Sequence, residues 1–435
     1  MPLNPAYPPS TSRPIAGVLP PAYGNSTFAG ALALAYGNTE KIILNQFGKY
    51  EGITYTQSGN LTYFDSTGTL KTAAVDTMVL DYDPSTLVVK GYPFWEARTN
   101  LLLQSEDFTT TWTTGGAGPA TVTANTVNAP TGTQIADTIL STVANSDLVA
   151  QTKTVAASTT YVLSFFVKNN NATQSFFRFI GFNSGSANSN VTINWSGATL
   201  SSLTNGGTTQ SSFFACQNGW YLVYMIFTTN GSDAGGASTV QFFPELVQAS
   251  RSVYLFGAML QAGSFYAPYI ATTTGAVTRA APSCLVTSTN FTSWYNPLEG
   301  TFVVQGLNSD TTSNQARIVC CNDNTANNYI DVSRLGNTAQ SRTAVNVGGV
   351  NQFNSLVTAW PVNTSAKVAT TYKVNNFAAC LGGGTVVTDT SGTIPTVDRM
   401  FIGMFFAGAN FWNGWVTSLT YYGSNLPGSV KSLST

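Results

Sequence analysis

The sequence predicts an all-β protein: an N-terminal extended arm and a small β region, followed by two β-sandwich domains. Three observations carry this expectation. Thr, Val, Tyr and Phe, which suit half-buried strands, recur throughout, while charged helix formers are scarce: charged residues are 9% of the chain, against roughly 25% in an ordinary soluble protein. Strand-length apolar runs are separated by clusters of Gly, Asn and Ser, which suit turns. No segment holds a helical period. The length of 435 residues exceeds one ordinary core and implies several domains.

Residues 1–26, "MPLNPAYPPSTSRPIAGVLPPAYGNS", form the arm. Proline removes backbone donors and favours extended, polyproline-like chain. Two readings fit: an unstructured tail, or an arm docked on another subunit with Tyr7 and Tyr23 as anchors, since aromatic side chains give large contact area at low entropy cost. Residues 27–99 read as a small β region. "LTYFDSTGTLKTAAV" is a hairpin turning at Asp65-Ser66-Thr67-Gly68, and Asp83-Pro84 opens a second turn. Residues 100–281 give the first sandwich, with strand-like runs at 161–169, 176–182, 213–229, 238–246 and 252–263. Residues 282–435 give the second. Its first part, to residue 300, has a linker-like composition, and strand-like runs such as "TFVVQG", "ARIVCCND", "NYIDVSRLG" and "GWVTSLTYY" follow.

Composition excludes several functions. The net charge is −1 and no Lys, Arg, Asp or Glu occurs between Arg178 and Asp233, so there is no basic patch for nucleic acid. No apolar run reaches the ~20 residues of a spanning helix, so no membrane insertion is expected. The N-terminus lacks the pattern of a signal peptide. There is no histidine, which removes Ser–His, Cys–His and His–zinc chemistry and leaves paired carboxylates as the common catalytic device still available. Five cysteines, an odd number without a metal-type pair, read as buried free thiols, with one disulfide open as an alternative. On a strand, Cys320 and Cys321 face opposite sides. The Gly-rich run at 381–385 is a turn, since no Lys-Ser/Thr follows it.

Four charges lie close together in "FWEARTNLLLQSEDFTTTW" at 94–112. Glu96 and Arg98 share one face of an extended chain. A glycosidase would pair Glu96 with Glu106 or Asp107, but Arg98 between them would hold Glu96 ionised. The favoured reading is a structural clamp of Glu96, Arg98, Glu106 and Asp107 at a domain junction, because Arg–carboxylate pairs fix geometry. No catalytic residue and no cofactor is assigned. Asp310 and Asp323 are weak calcium candidates whose spacing matches no strict loop pattern.

The run Tyr63, Asp65, Gly68, Leu70, then Asp81 to Pro84, Glu96 to Leu102, and Ser105, Glu106, Phe108 and Trp112 resembles a motif in structural proteins of tailed bacteriophages; the segment 253–281 fits the same family. One departure is Leu80, where that family often has an Arg. Residues 100–263 also resemble jelly-roll carbohydrate-binding modules, and residues 301–426 resemble concanavalin-like or laminin-G-like sandwiches. The resemblance implies a non-enzymatic tail fibre, head fibre or appendage on the exterior of the virion. It implies a homotrimer anchored on other virion proteins through its arm and touching host surface glycans. Trp195, Trp220, Trp360, Phe411 and Trp412 are the candidate sugar platforms. Against this stands the reading favoured for any single ring, that aromatics fill sandwich cores; Trp195 and Trp412 gain as platforms from standing beside turns. A secreted bacterial carbohydrate-binding protein and a capsule or lipopolysaccharide depolymerase are the alternatives.

Overall fold

The computed structural model describes residues 40–182, 189–207, 209–233, 236–312 and 315–435. The arm at 1–26, with Tyr7 and Tyr23, lies outside them. Strands dominate, and the α-helices among the described residues are two single turns, Thr289–Thr292 and Val430–Leu433. The all-β expectation holds.

The first sandwich is a jelly roll of two six-stranded antiparallel sheets. One runs Thr121–Asn128, Gln134–Ser141, Arg251–Ala262, Thr160–Asn169, Trp220–Thr228, Gln210–Ala215; the other runs Thr199–Gly206, Ser189–Ser196, Gln174–Ile180, Ala237–Phe243, Leu148–Thr154, Thr113–Gly115. Strand Gln174–Ile180 buries Ser175, Phe177 and Phe179 and turns its alternate residues outward, as a half-covered sheet requires. Thr160–Asn169 is buried almost throughout. Its Leu163, Phe165 and Val167 face the core between the sheets, while Phe166 faces a second cluster on the sheet's outer side, with Trp220, Phe256 and Tyr269. Both faces are covered, so the strand reads as an unbroken apolar run. The run at 213–229 is two strands, not one: the backbone reverses through Gln217–Gly219, where Asn218 has φ 59° and Gly219 φ 75°.

The second sandwich packs a sheet running Gly48–Lys49, Glu40–Asn45, Gly414–Tyr422, Glu299–Asn308, Ala366–Lys373, Phe377–Leu381, Val387–Asp389 against a seven-stranded sheet. The latter runs Val350–Ala359, Gln340–Val347, Tyr329–Leu335, Ala316–Asn322, Arg399–Ile402, Ser283–Thr287, Thr54–Thr56. Cys321 points into the main core and Cys320 to the opposite face beneath Phe405, as the alternation predicts. All five cysteines are free thiols.

Two expectations about the chain's organisation change. The linker-like stretch after 281 contains a core strand: Ser283–Thr287 pairs with Arg399–Ile402 on one side and Thr54–Thr56 on the other. The region set apart as 27–99 is not free-standing. Strand Glu40–Asn45 pairs with Leu419–Tyr422, and Tyr92–Phe94 pairs with Gly414–Val416 further along the same strand. Ile43, Leu44 and Phe94 sit in the second sandwich's core. The hairpin of Thr62–Phe64 and Leu70–Thr72 crosses instead to the jelly roll, where Leu70 joins its outer cluster and Leu70 N–H donates to Pro130 O at 3.0 Å. The jelly roll is thus inserted into the second sandwich. The chain enters it at Arg98–Asn100 and leaves at Val277–Arg279, and these two short strands pair with each other as a neck.

Candidate functional site

Part of the motif, Arg98 to Asn100, forms one strand of this neck. The Asp65 turn forms as its chemistry predicts: Asp65 Oδ1 accepts Thr67 N–H at 2.9 Å and Thr69 N–H at 3.0 Å, and Gly68 takes φ +74°, which glycine reaches without strain. Asp83 Oδ1 caps its own turn by accepting from Ser85 and Thr86 N–H at 3.0 and 2.8 Å.

Asp81, in the same Asp-Tyr-Asp-Pro run, does something the sequence did not reveal. It is 4% exposed. Its Oδ1 accepts Phe64 N–H at 2.8 Å and Tyr82 N–H at 3.0 Å, while its Oδ2 accepts the Trp415 indole N–H at 2.7 Å. One carboxylate therefore ties the hairpin on the jelly roll to the last strand of the second sandwich. Burial pushes its pKa up to about 6, against the opposing pull of Lys90 and of these hydrogen bonds. The Lys90 ammonium lies 4.6 Å from the Trp415 ring centroid. Trp95, 1% exposed, meets Trp415 edge-on at 5.0 Å and Phe265 at 6.2 Å, so three rings fill the gap between the sandwiches.

The four charges of 94–112 do not form one cluster. Arg98 Nη2 pairs with Glu96 Oε1 at 2.6 Å, and the Arg98 guanidinium stacks 4.7 Å from the Phe265 ring centroid. Gly263, at φ +146°, lets the guanidinium lie against its backbone, where a Cβ would collide with it. Glu96 N–H donates to Asn413 Oδ1 at 2.9 Å, and Asn413 Nδ2 donates to Asp310 Oδ2 at 3.0 Å. The pair thus touches both sandwiches. The cross-strand partner of Arg98 is Arg279, 1% exposed, which donates to Pro268 O at 2.9 Å and Glu96 O at 3.2 Å. Burial, and then the neighbouring Arg98 charge, lowers the Arg279 pKa to about 10, so it stays protonated at neutral pH.

Glu106 and Asp107 serve elsewhere. Glu106 accepts the Tyr269 hydroxyl at 3.1 Å, and burial raises its pKa. Asp107 caps the next turn by accepting from Thr109 N–H at 2.8 Å and Oγ1 at 2.6 Å; burial pushes its pKa up, but these bonds outweigh it and leave it lowered. Asn100, between the two groups, is fully buried. It donates to Ala258 and Ile270 O and accepts from Leu102 and Leu260 N–H, which satisfies all four of its hydrogen-bonding positions.

The four candidate tryptophans take the core reading and not the platform reading. Trp195, Trp220, Trp360 and Trp412 are 9%, 1%, 0% and 0% exposed, so none offers a ring face to a sugar. Each indole N–H is held inside: by Ser175 Oγ, Asn128 O, Thr364 O and Trp415 O respectively. Phe411 is half-buried. Asp310 accepts Thr312 N–H and Oγ1, and Asp323 accepts Thr325 N–H and Oγ1 and Asn328 Nδ2. Both carboxylates are organised as turn caps, and among the described residues no three His, Cys, Asp or Glu gather into a metal-binding group.

Beside the neck the two sandwiches leave a cleft of about 550 Å³. Its jelly-roll wall carries Phe214, Tyr224 and Tyr266, whose ring centroids are 5.3 to 5.8 Å apart. Lys90 and Asp83 line its floor, and Ser309 and Asn363 come from the second sandwich.

No family model matches the chain, and no curated protein matches it. Among solved structures, the CBM40 of a Ruminococcus gnavus IT-sialidase bound to α2,3-sialyllactose is similar over 34% of this chain and 88% of its own, at 11% identity and TM-score 0.30. Mouse laminin α1 chain domains LG4-5 match over 61% and 82%, at 9% identity and TM-score 0.22. The Trypanosoma rangeli sialidase in complex with 2,3-difluorosialic acid matches over 68% and 60%, at 9% identity and TM-score 0.29. At these identities and scores, none bears on what this chain binds.

Proposed function

We propose that the chain is a non-enzymatic structural protein on the exterior of a tailed-phage virion. It is a fibre or appendage of head or tail, held on other virion proteins by its N-terminal arm, assembled as a homotrimer and meeting host surface glycans. The observation that carries this reading is the use made of the phage-type motif. Asp65 and Asp83 cap turns, Asn100 is satisfied inside the jelly roll, and Asp81 and the Glu96–Arg98 pair bridge the two sandwiches, so each of these motif residues has a structural role. Retaining glycosidases hold two carboxyl groups about 5 Å apart beside an open groove. Here Glu96 is paired with Arg98, whereas Glu106 binds Tyr269 and Asp107 binds Thr109. A rigid joint suits a part that must carry load and present repeated weak sites, whose combined strength comes from effective concentration. A near-neutral chain with charged residues at only 9% suits a particle outside the cell.

The test is electron microscopy of virions labelled with an antibody raised against this chain. Label at a fixed position on head or tail is expected. Unlabelled virions, with the protein recovered only from bacterial culture fluid, would favour a secreted bacterial protein instead.

A further inference from the structure

We propose that the cleft between the two sandwiches binds an uncharged saccharide, an assignment that rests on the glycan contact proposed above and gives it a place. The cleft's volume of about 550 Å³ falls in the ~300–1,000 Å³ range of small-molecule sites. Its jelly-roll wall is a cluster of three rings: Phe214 and Tyr224 stack at 5.8 Å with 26° between planes, Tyr266 and Tyr224 at 5.3 Å and 28°, and Tyr266 meets Phe214 at 5.8 Å and 54°. Aromatic rings shed water against the C–H face of a pyranose while leaving its hydroxyls free for polar partners.

Those partners stand beside the rings. Lys90 holds its ammonium 5.2 Å from the Phe214 centroid and 4.6 Å from that of Trp415, which brings N–H donors to the edge of the wall. Asp83 supplies carboxylate acceptors, and Asn363 an amide from the facing sandwich. Among the described residues, Lys90 and Asp83 are the only charged ones lining the cleft, one of each sign, so this lining has no net charge to draw a phosphate, a carboxylate or an ammonium ligand. A lipid chain would leave the amide and hydroxyl lining unpaired, which costs about 1–3 kcal/mol for each buried group. A flat polyol with one apolar face satisfies both kinds of wall. The cleft is pre-formed because Asp81, Trp95 and Trp415 fix the two walls relative to each other, which spares the ligand the ordering cost of assembling its site.

The experiment uses the full chain on an array of neutral, sialylated and phosphorylated oligosaccharides. The best glycan is then titrated by tryptophan fluorescence, since Trp415 lies under Lys90. Ser212 lines the cleft, is exposed and hydrogen-bonds Tyr224, so Ser212→Trp fills the space from an exposed position of strand Gln210–Ala215. Tyr224→Ala removes the ring that stacks on both of the others. Unfolding curves of both variants establish that they are folded. The expected result is binding to a neutral glycan that is lost in Ser212→Trp and weakened roughly tenfold in Tyr224→Ala, about 1.4 kcal/mol. A neutral glycan bound equally well by both folded variants would overturn the site while leaving glycan contact elsewhere on the chain. Binding confined to acidic glycans would overturn the uncharged ligand. Binding to no glycan would overturn the site altogether, and antibody labelling of virions would still judge the structural role separately.

Discussion

Replacing Asp81 by Asn probes the joint with little change of shape. Asp81 accepts three hydrogen bonds at 2.7 to 3.0 Å while 4% exposed. In Asp81→Asn, the amide oxygen can still serve Phe64 and Tyr82 N–H, but the amide nitrogen then confronts the Trp415 indole N–H, donor against donor. One lost bond with buried donors left unpaired costs about 1–3 kcal/mol. The cost should depend on pH. Burial raises the folded-state pKa of Asp81 from 3.8 to about 6, so the folded protein binds this proton more tightly than the unfolded chain does. The stability Asp81 contributes is therefore fully present below pH 3.8 and is lost as pH rises through 6, by roughly 3 kcal/mol. Asn has no such titration. Urea unfolding of both proteins at fixed salt from pH 4 to 7.5 measures the gap between them, and other titrating groups cancel in the difference. The gap should narrow by a few kcal/mol across that window. A gap that stays constant, or widens as pH rises, would refute the buried, proton-holding role assigned to Asp81.

Arg98→Ala should destabilise by roughly 2–3 kcal/mol, because it removes the Glu96 pair and the Phe265 stacking but leaves Glu96 partly exposed to water. A double-mutant cycle with Glu96→Ala should show the coupling, and an additive cycle would mean that the pair contributes nothing. Gly263→Ala should cost about 1–3 kcal/mol through its φ of +146° and its collision with Arg98, measured by the shift in urea midpoint. A polypeptide of residues 282–435 alone should fail to give a dispersed NMR spectrum, since it lacks the strands bearing Ile43, Leu44, Tyr55 and Phe94 of its own core. In the native protein a thiol reagent should modify at most Cys216, the one cysteine not fully buried, and that one slowly because burial raises its pKa to about 12; all five should react after unfolding.

How much of this was legible in the sequence follows from the range over which each signal acts. The Asp65–Gly68 hairpin and the Asp83 cap are local chemistry and were legible. So was the opposite facing of Cys320 and Cys321, which needs only the two-residue period of a strand. The pairing of Glu40–Asn45 with Leu419–Tyr422 joins residues nearly the whole chain apart, and no local pattern announces it; hence a region that reads as a separate small unit is two strands of a distant sheet. Asn218-Gly219 was a visible turn signal inside the run at 213–229 and would have divided it. The tryptophans beside turns misled because proximity to a turn says nothing of which face of the strand is covered. In 94–112 the charges are adjacent in sequence, yet the chain turns between Arg98 and Glu106, so only Glu96 and Arg98 act together. The central partner of the joint, Asp81 with Trp415, spans more than three hundred residues and became visible only in the fold.

The joint itself is tested most directly by scanning calorimetry of the full chain beside its Trp95→Ala variant. A buried Trp at the meeting of both sandwiches costs about 3–5 kcal/mol when truncated. With the joint intact, the wild type should unfold in one transition whose calorimetric and van't Hoff enthalpies agree, and Trp95→Ala should separate it into two, one for each sandwich. Two well-separated transitions in the wild type, unchanged by the substitution, would contradict the claim that the motif locks the sandwiches into one body.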